Sequence, residues 1–154
     1  MTGMENEQSF EESLRQCCFC HRLTGMTKAA VLAEMVDALA AAGRITDRDG
    51  VLAAVRSRED QMSTGMQYGI ALPHGKHASV QGLVTLIGLH PDGVDFESLD
   101  GIPGRIFVMT LSSPETIGPH LRFLAAIGRL LGRPAVREAV LKAGDKDAMI
   151  QALV

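Results

Sequence analysis

The chain of 154 residues is long enough for one domain with a single hydrophobic core. Apolar residues make up 46% and charged residues 21%, with a net charge of −3, which is ordinary for a globular protein. Binding to nucleic acid is not expected, because no basic block could contact phosphates and the chain has no Trp and one Tyr for base stacking.

The N-terminal segment predicts neither a secretory signal nor a membrane anchor. Residues 1–8 are predicted to be a flexible leader, because they are acidic and polar and lack the basic and apolar regions of a signal peptide. Residues 9–154 are predicted to form one domain. Their apolar stretches are interrupted by Glu34, Asp37 or glycine before they could cross a membrane. We therefore expect a cytoplasmic protein without membrane insertion.

Two short elements are predicted before the first long helix. Residues 9–16 favour a short helix, and residues 17–23, with the sequence CCFCHRL, favour a short strand. The spacing Cys17-x-x-Cys20-His21 matches the pattern of c-type haem attachment. That chemistry requires export, which no segment here directs, and a zinc site would require a second ligand pair. We therefore interpret the cysteines as reduced thiols that pack as small apolar side chains.

Two longer helices follow, each with an expected cap. Thr27 is predicted to cap a helix over residues 28–43, and Thr46 with Asp49 forms a plausible capping pair for a helix over residues 46–60. Apolar residues at helical spacing predict one buried stripe on each helix. These stripes are Leu32, Met35, Val36 and Leu39 on the first helix, and Val51, Leu52 and Val55 on the second.

The rest of the chain predicts strands followed by helices. Short apolar runs over residues 69–74, 82–90 and 105–113 are typical of strands, and residues 90–96 and 99–104 between them are typical of turns. Helices are expected from Gly118-Pro119 to Gly132, over residues 134–144 and over residues 145–154. The buried stripe expected on the first of these is Leu121, Leu124, Ile127 and Leu131. This order predicts an α/β fold, a three-layer α/β/α sandwich with a small mixed sheet flanked by helices.

His74 is a candidate functional residue at the end of a predicted strand. Ligand sites gather at strand ends in α/β sheets, and Pro73 stiffens the backbone that carries the imidazole. Glycines on either side, Gly69 and Gly75, allow close approach of another group. A packed histidine at the sheet edge explains the same residues equally well. His77 has a spacing from His74 that could bind a metal, but no third ligand lies nearby, so a solvated loop residue is the simpler interpretation.

His120 and Arg58 are further candidates. His120 falls in the first turn of a predicted helix, where the positive end of the helix dipole disfavours imidazolium, so this histidine should stay neutral and donate one N–H. A buried position beside Leu124 and Ile127 is the alternative. Arg58 precedes the loop Ser63-Thr64-Gly65, and its guanidinium could bind a phosphate or pair with a neighbouring carboxylate.

Together these residues are more specific than any one of them. The segment Arg58-Glu59, then Ser63-Thr64-Gly65, then GIALPHGK resembles the type-2 IIA domains of the bacterial phosphoenolpyruvate-dependent sugar phosphotransferase system. The pattern of this family reads roughly R-E-x-x-x-S-T-G-(I/V)-x-x-G-I-A-(I/L)-P-H. The family is the fructose and mannitol class and includes nitrogen-regulatory IIA proteins. The resemblance continues through residues 94–115 and 119–131 and covers about residues 17–154.

The resemblance implies a role for each candidate residue. His74 would be the phosphorylated histidine, His120 the second active-site histidine that supports the phosphoryl group, and Arg58 the arginine that helps to hold it. The rim of the phosphate site would be formed by Ser63, Thr64, Gly65 and Gly75. The implied donor is an HPr-like phosphocarrier protein, and the implied acceptor is a IIB domain or a regulatory protein. No cofactor or metal is implied.

Two other functions remain open at this point. A module of the same fold that binds partners without phosphotransfer is the main alternative, because Gln67 and Tyr68 stand where the family often has Gly-Asn and would change the docking rim. A metal-dependent hydrolase that uses His74, His77 and His120 is the other alternative, and it would require bound zinc.

Overall fold

The computed structural model describes residues 10–116 and 118–154, and it confirms a mixed α/β fold with helices against a five-stranded sheet. The helices are α1 (10–16), α2 (Lys28–Ala41), α3 (Arg48–Gln61), α4 (Gly118–Leu131), α5 (Pro134–Leu141) and α6 (Lys146–Leu153). The strands are β1 (Cys18–Cys20), β2 (Ile70–Ala71), β3 (His74–Lys76), β4 (Leu83–Val94) and β5 (Gly104–Ser112). The predicted leader, residues 1–8, lies outside the described residues.

The sheet has the order β1-β4-β5-β2, and β3 also pairs with β5. Strands β4 and β5 are antiparallel, while β1, β2 and β3 each run parallel to their neighbour. Ile70 pairs with Ile106 and His74 with Thr110, so β2 and β3 follow one another along β5. The carbonyl of Pro73 between them still accepts a hydrogen bond from the Thr110 N–H, at 3.0 Å. This pairing places His74 beside the C-terminal part of β5.

The two faces of the sheet bury separate apolar clusters. On β5, Phe107 and Met109 belong to the cluster shared with α2 and α3, whereas Ile106 and Val108 belong to the cluster shared with α4, α5 and α6. This alternation is the two-residue period of a strand that is covered on both faces. The stripes predicted for α2 and α3 are buried as expected.

The N-terminal caps of the first two long helices differ in how well they were predicted. The Thr27 side chain accepts a hydrogen bond from the Ala30 N–H, which confirms the predicted cap of α2. The predicted pair Thr46 and Asp49 is wrong for α3, because the Asp47 side chain accepts from the Gly50 N–H at 3.0 Å. A carboxylate at the capping position satisfies one of the free N–H groups of the first helical turn.

Two other predictions need correction. Strand β4 continues to Val94, so the first part of the turn predicted over residues 90–96 is strand, with an irregularity after Leu89 and Gly93 at a φ of +81°. On α4, Leu121 is 58% exposed instead of buried. The buried face of that helix is His120, Phe123, Ile127 and Leu131. Because this face begins at His120, the helix directs that imidazole toward the sheet.

Candidate active site

The His74 imidazole is held in one tautomer by the backbone before it. Its Nδ1 lies 3.0 Å from the carbonyl oxygen of Leu72, and the side chain is half-buried. A carbonyl oxygen only accepts, so Nδ1 must carry the proton and donate it. Neutral imidazole has one N–H, and Nε2 therefore keeps a free lone pair. The strand predicted over residues 69–74 is divided into β2 and β3, and His74 is the first residue of β3 instead of the last residue of a strand. The start of β3 thus presents Nε2 of His74 as a nucleophile.

His120 lies beside His74. The two ring centroids are 5.7 Å apart and the ring planes are inclined at 62°. His120 is 5% exposed, and burial lowers its pKa, with smaller contributions in the same direction from the nearby His74 and Lys76. The His120 ring is therefore neutral near pH 7 and offers one N–H. In the structure, His120 is both buried and a neighbour of His74. The two interpretations of the sequence, a site residue and a buried residue of the helix, are therefore compatible.

Polar groups collect on the α4 face of the sheet below this pair. Thr110 pairs with His74 in the sheet register, and Ser112 pairs with Lys76. The hydroxyl oxygens of Thr110 and Ser112 and Nδ1 of His120 are buried and have no hydrogen-bond partner among the described residues. Buried polar atoms are normally hydrogen-bonded, so this concentration marks the neighbourhood of His74 as chemically distinct from the apolar core.

Arg58 lies in the last turn of α3, the helix that packs against β3. A Cβ added at Gly75 would lie 3.1 Å from Cγ2 of Val55, so this glycine permits the close approach of α3 to β3. The Arg58 side chain is partly buried, and its Nη1 donates to the carbonyl of Met62 at 2.8 Å. The structure therefore pairs Arg58 with backbone and not with the neighbouring carboxylate of Glu59.

The segment predicted as a phosphate rim makes internal hydrogen bonds. The Ser63 hydroxyl donates to the Phe96 carbonyl at 2.6 Å and accepts from the Gly65 N–H at 3.0 Å. Thr64 is buried and donates its N–H and its hydroxyl to the Glu59 carboxylate. A Cβ at Gly65 would lie 2.8 Å from the Phe96 carbonyl oxygen. These contacts fix the segment in place, and Glu59 is a residue whose role the sequence analysis missed.

Tyr68 occupies an exposed position with an unusual backbone conformation. Its φ is +63°, in the left-handed region that favours glycine. The Tyr68 N–H donates to Asp100 at 2.9 Å, and the N–H groups of Tyr68 and Ile102 lower the pKa of that carboxyl. The Arg137 guanidinium carbon lies 4.2 Å from the centroid of the Tyr68 ring. This cation–π contact, which the sequence did not reveal, fixes the ring at the surface.

His77 and His90 have hydrogen-bond partners outside the pair. Nδ1 of His77 contacts the Ser79 hydroxyl at 2.7 Å, and its Nε2 lies 3.5 Å from Asp47. His90 is buried and bonds to the Gly25 carbonyl at 2.8 Å. Over residues 10–116 and 118–154, no cluster of three or more His, Cys, Asp or Glu side chains could hold a metal ion. Because His77 faces Asp47, it does not join His74 and His120 as a ligand set.

The sequence and the fold correspond to a known family of phosphotransferase-system components. Residues 14–154 match the model of the family described as the phosphoenolpyruvate-dependent sugar phosphotransferase system, EIIA 2. The chain belongs to this family. Within the part of the chain that the structure describes, no helix has both the length and the apolar character required to cross a membrane.

The similar proteins include both transport components and regulatory proteins. The chain is 41% identical over 123 residues to the fructose-specific EIIABC component of Bacillus subtilis, a match that covers 80% of this chain but only 19% of that protein. It is 32% identical to the fructose-specific EIIA component of Haloferax volcanii, with 80% of each chain covered. It is 30% identical to the nitrogen regulatory protein of Pseudomonas aeruginosa, with 84% of each covered.

Solved structures support the fold at lower sequence identity. The nitrogen regulatory protein IIA-Ntr of Neisseria meningitidis superposes with a TM-score of 0.81 at 22% identity, covering 90% of this chain and 94% of that one. The Escherichia coli complex of enzyme IIAMTL and phosphorylated enzyme IIBMTL matches with a TM-score of 0.75 at 17% identity, covering 88% and 92%. At these identities the likeness concerns the fold alone.

Proposed function

We propose that this protein is a phosphoryl carrier that accepts the group on Nε2 of His74 from the phosphohistidine of an HPr-like protein. It then passes the group to a cysteine of a IIB domain or uses it as a regulatory signal. The observation that carries this proposal is the hydrogen bond between Nδ1 of His74 and the Leu72 carbonyl, which leaves Nε2 free at the partly exposed first residue of β3. The cytoplasmic location stays a prediction.

The proposed step exchanges one nitrogen–phosphorus bond for another. The Nε2 lone pair of His74 attacks phosphorus in line, and the bond to the donor imidazole breaks with its electron pair returning to the donor ring. No proton must move, because Nδ1 keeps its proton throughout. The phosphorylated ring then carries a positive charge, which the Leu72 carbonyl oxygen stabilises from the Nδ1 side.

Neighbouring residues would stabilise the transferring group. His120 is close to His74 and neutral, so it can donate an N–H to a phosphoryl oxygen without a cost in charge repulsion between the two rings. Arg58 could supply a guanidinium if it exchanged the Met62 carbonyl for phosphate. The rim role of Ser63, Thr64, Gly65 and Gly75 stays a prediction, and their contacts favour holding the backbone over touching phosphate.

Two kinds of acceptor are consistent with the similar proteins. The relative from Escherichia coli is a complex with a phosphorylated IIB enzyme, which favours a IIB cysteine as acceptor. The relatives named nitrogen regulatory proteins favour signalling instead, in which the added negative charge would change a docking surface. The exposed ring of Tyr68 supports the alternative function, an interaction module without phosphotransfer, because it adds a bulky side chain to the docking rim.

Intact-mass spectrometry tests the proposal. The protein is incubated with phosphoenolpyruvate, enzyme I and the HPr-like protein of its own organism, and the mass is read before and after acid treatment. The expected result is the gain of one acid-labile phosphoryl group. No gain with active enzyme I and HPr would overturn phosphotransfer in favour of the interaction module.

A further inference from the structure

A buried ion pair lies between α2 and α3. The Glu59 carboxylate is 5% exposed, and its Oε1 lies 2.7 Å from Nζ of Lys28, the first residue of α2. Lys28 also lies over the Phe96 ring, 4.9 Å from its centroid. Burial raises the pKa of Glu59, but the hydrogen bonds from Lys28 and Thr64 outweigh it and hold the pKa below its usual value. Glu59 is therefore ionised at neutral pH.

Thr64 attaches this pair to the segment before β2. Its N–H donates to Oε1 of Glu59 at 2.9 Å, and its hydroxyl donates to Oε2 at 2.6 Å. With Lys28, the carboxylate thus accepts from three donors. Charge-assisted hydrogen bonds of this kind are stronger than neutral ones, and two of them to one residue fix both its backbone and its side chain.

The same segment is hydrogen-bonded to the residues that precede His74. The Leu72 N–H donates to the Thr64 carbonyl at 3.1 Å, Gly65 bridges to Ala71, and the Met66 N–H donates to the Ile70 carbonyl at 2.7 Å. Two residues beyond Ile70, the carbonyl of Leu72 accepts from Nδ1 of His74. A continuous series of hydrogen bonds therefore runs from Lys28 through Glu59, Thr64 and Leu72 to the imidazole.

We propose that Glu59, together with Lys28, is a positioning residue that fixes the Leu72 carbonyl and so keeps His74 in the Nδ1–H tautomer with Nε2 free. One edge of this peptide is paired with β5 through Ile70 and Ala71, and its other edge is bound through the Leu72 N–H to the carbonyl of Thr64. Loss of the carboxylate charge would let the Leu72 carbonyl move, and the ring would then populate both tautomers. The kinetic part of this inference rests on the proposed function; the tautomer part does not.

The test compares Glu59→Gln with Glu34→Gln. Glu34 is a matched control, because its carboxylate also accepts backbone N–H groups, from Thr24 and Gly25, in a loop with no connection to His74. The His74 tautomer is read from its two ring ¹⁵N shifts in the unphosphorylated protein. The phosphorylation rate is read by rapid quench with phosphorylated HPr-like protein, and the unfolding free energy by urea titration.

Glu59→Gln should give averaged ¹⁵N shifts at His74 and about a tenfold slower rate, an effect typical of losing a group that orients a reacting side chain. Glu34→Gln should keep the wild-type shifts and rate. Wild-type shifts and rate in folded Glu59→Gln would overturn the inference. If that variant does not fold, Lys28→Met replaces it, because it removes the cation that the proposal pairs with Glu59. Wild-type shifts and rate in folded Lys28→Met would overturn the role of the pair.

The two proposals fail separately. If the wild-type protein accepts no phosphoryl group, the proposed function is lost, yet the ¹⁵N comparison still decides whether Glu59 sets the tautomer. If the wild-type protein is phosphorylated and Glu59→Gln leaves the shifts unchanged, only the positioning role is lost.

Discussion

The half-buried His74 ring and the buried His120 ring meet at an angle of 62° with their centroids 5.7 Å apart. The two residues have the same side chain, but their different environments give them different roles. His74 donates Nδ1–H to a backbone carbonyl and keeps Nε2 free, whereas burial and neighbouring positive charge keep His120 neutral. One ring is therefore equipped as a nucleophile and the other as a hydrogen-bond donor.

Replacing the nucleophile should abolish phosphorylation. We expect His74→Ala to show no acid-labile mass gain, because no other side chain in the pair has an oriented and accessible ring nitrogen. The half-buried position means that the circular dichroism spectrum should stay that of the wild type. His77→Ala serves as the control and should be phosphorylated normally, since His77 faces Asp47. Phosphorylation of His74→Ala at the wild-type level would contradict the assignment.

Replacing the second histidine should slow transfer without stopping it. In His120→Ala the nucleophile remains but a donor to the phosphoryl group is lost, which costs about 10²-fold in comparable sites. Rapid-quench measurement of phosphorylation by the HPr-like donor gives the rate. His120→Asn, which keeps an N–H donor, should recover part of it. An unchanged rate in His120→Ala would remove His120 from the proposed mechanism.

The two arginines near the end of α3 allow a paired test. Arg58→Met should slow phosphorylation by about tenfold or more if its guanidinium binds the phosphoryl group, because a charge-assisted contact is lost. Arg56→Met lies two residues earlier on the same helix, is exposed, and should leave the rate unchanged. Equal rates for both variants would mean that Arg58 only holds the Met62 carbonyl.

The sequence predicted the parts of the fold that depend on local patterns. Helical spacing of apolar residues predicted the buried faces of α2 and α3, and Thr27 predicted a cap that the structure confirms. The capping pair predicted for α3 is wrong. Thr46 and Asp47 are both residue types that cap helices well, and in the structure Asp47 occupies the capping position. On α4, the apolar Leu121 suggested a buried face, but the helix turns His120 inward instead.

The candidate site was harder to predict because its contacts join distant segments. The motifs predicted His74 and His120 as candidates, but the contact between their rings depends on how α4 packs against the sheet. The role of Glu59 depends on Lys28, 31 residues earlier, and the cation–π contact of Tyr68 depends on Arg137 on α5. The spacing of residues within a helix or strand does not predict such pairs, because residues that are distant in sequence meet only through tertiary packing.

Gly65 should tolerate no side chain. A Cβ there would lie 2.8 Å from the Phe96 carbonyl oxygen, a backbone atom, so Gly65→Ala should lower the free energy of unfolding by about 1–3 kcal/mol. Gly128→Ala is the control, because Gly128 lies inside α4 and an added Cβ would meet no atom beyond the adjoining helix backbone within 4 Å. That variant should gain about 0.5–1 kcal/mol from helix propensity. Urea unfolding measures both, and a stable Gly65→Ala would show that the segment can shift.

The buried His120 should make stability depend on pH. Burial and the charges of His74 and Lys76 lower its pKa in the folded protein from 6.5, so the unfolded chain binds a proton more readily. Stability is therefore fully present above about pH 6.5 and is lost as the pH falls from there toward the lower, folded-state pKa. Urea unfolding of the wild type and of His120→Gln at about pH 7.5 and about pH 5.5 isolates this contribution. The wild type should lose more free energy of unfolding between the two pH values than His120→Gln, which has no proton to bind at this position. Equal losses in the two proteins would mean that the His120 ring reaches water, and its assignment as a donor that is neutral near pH 7 would then fail.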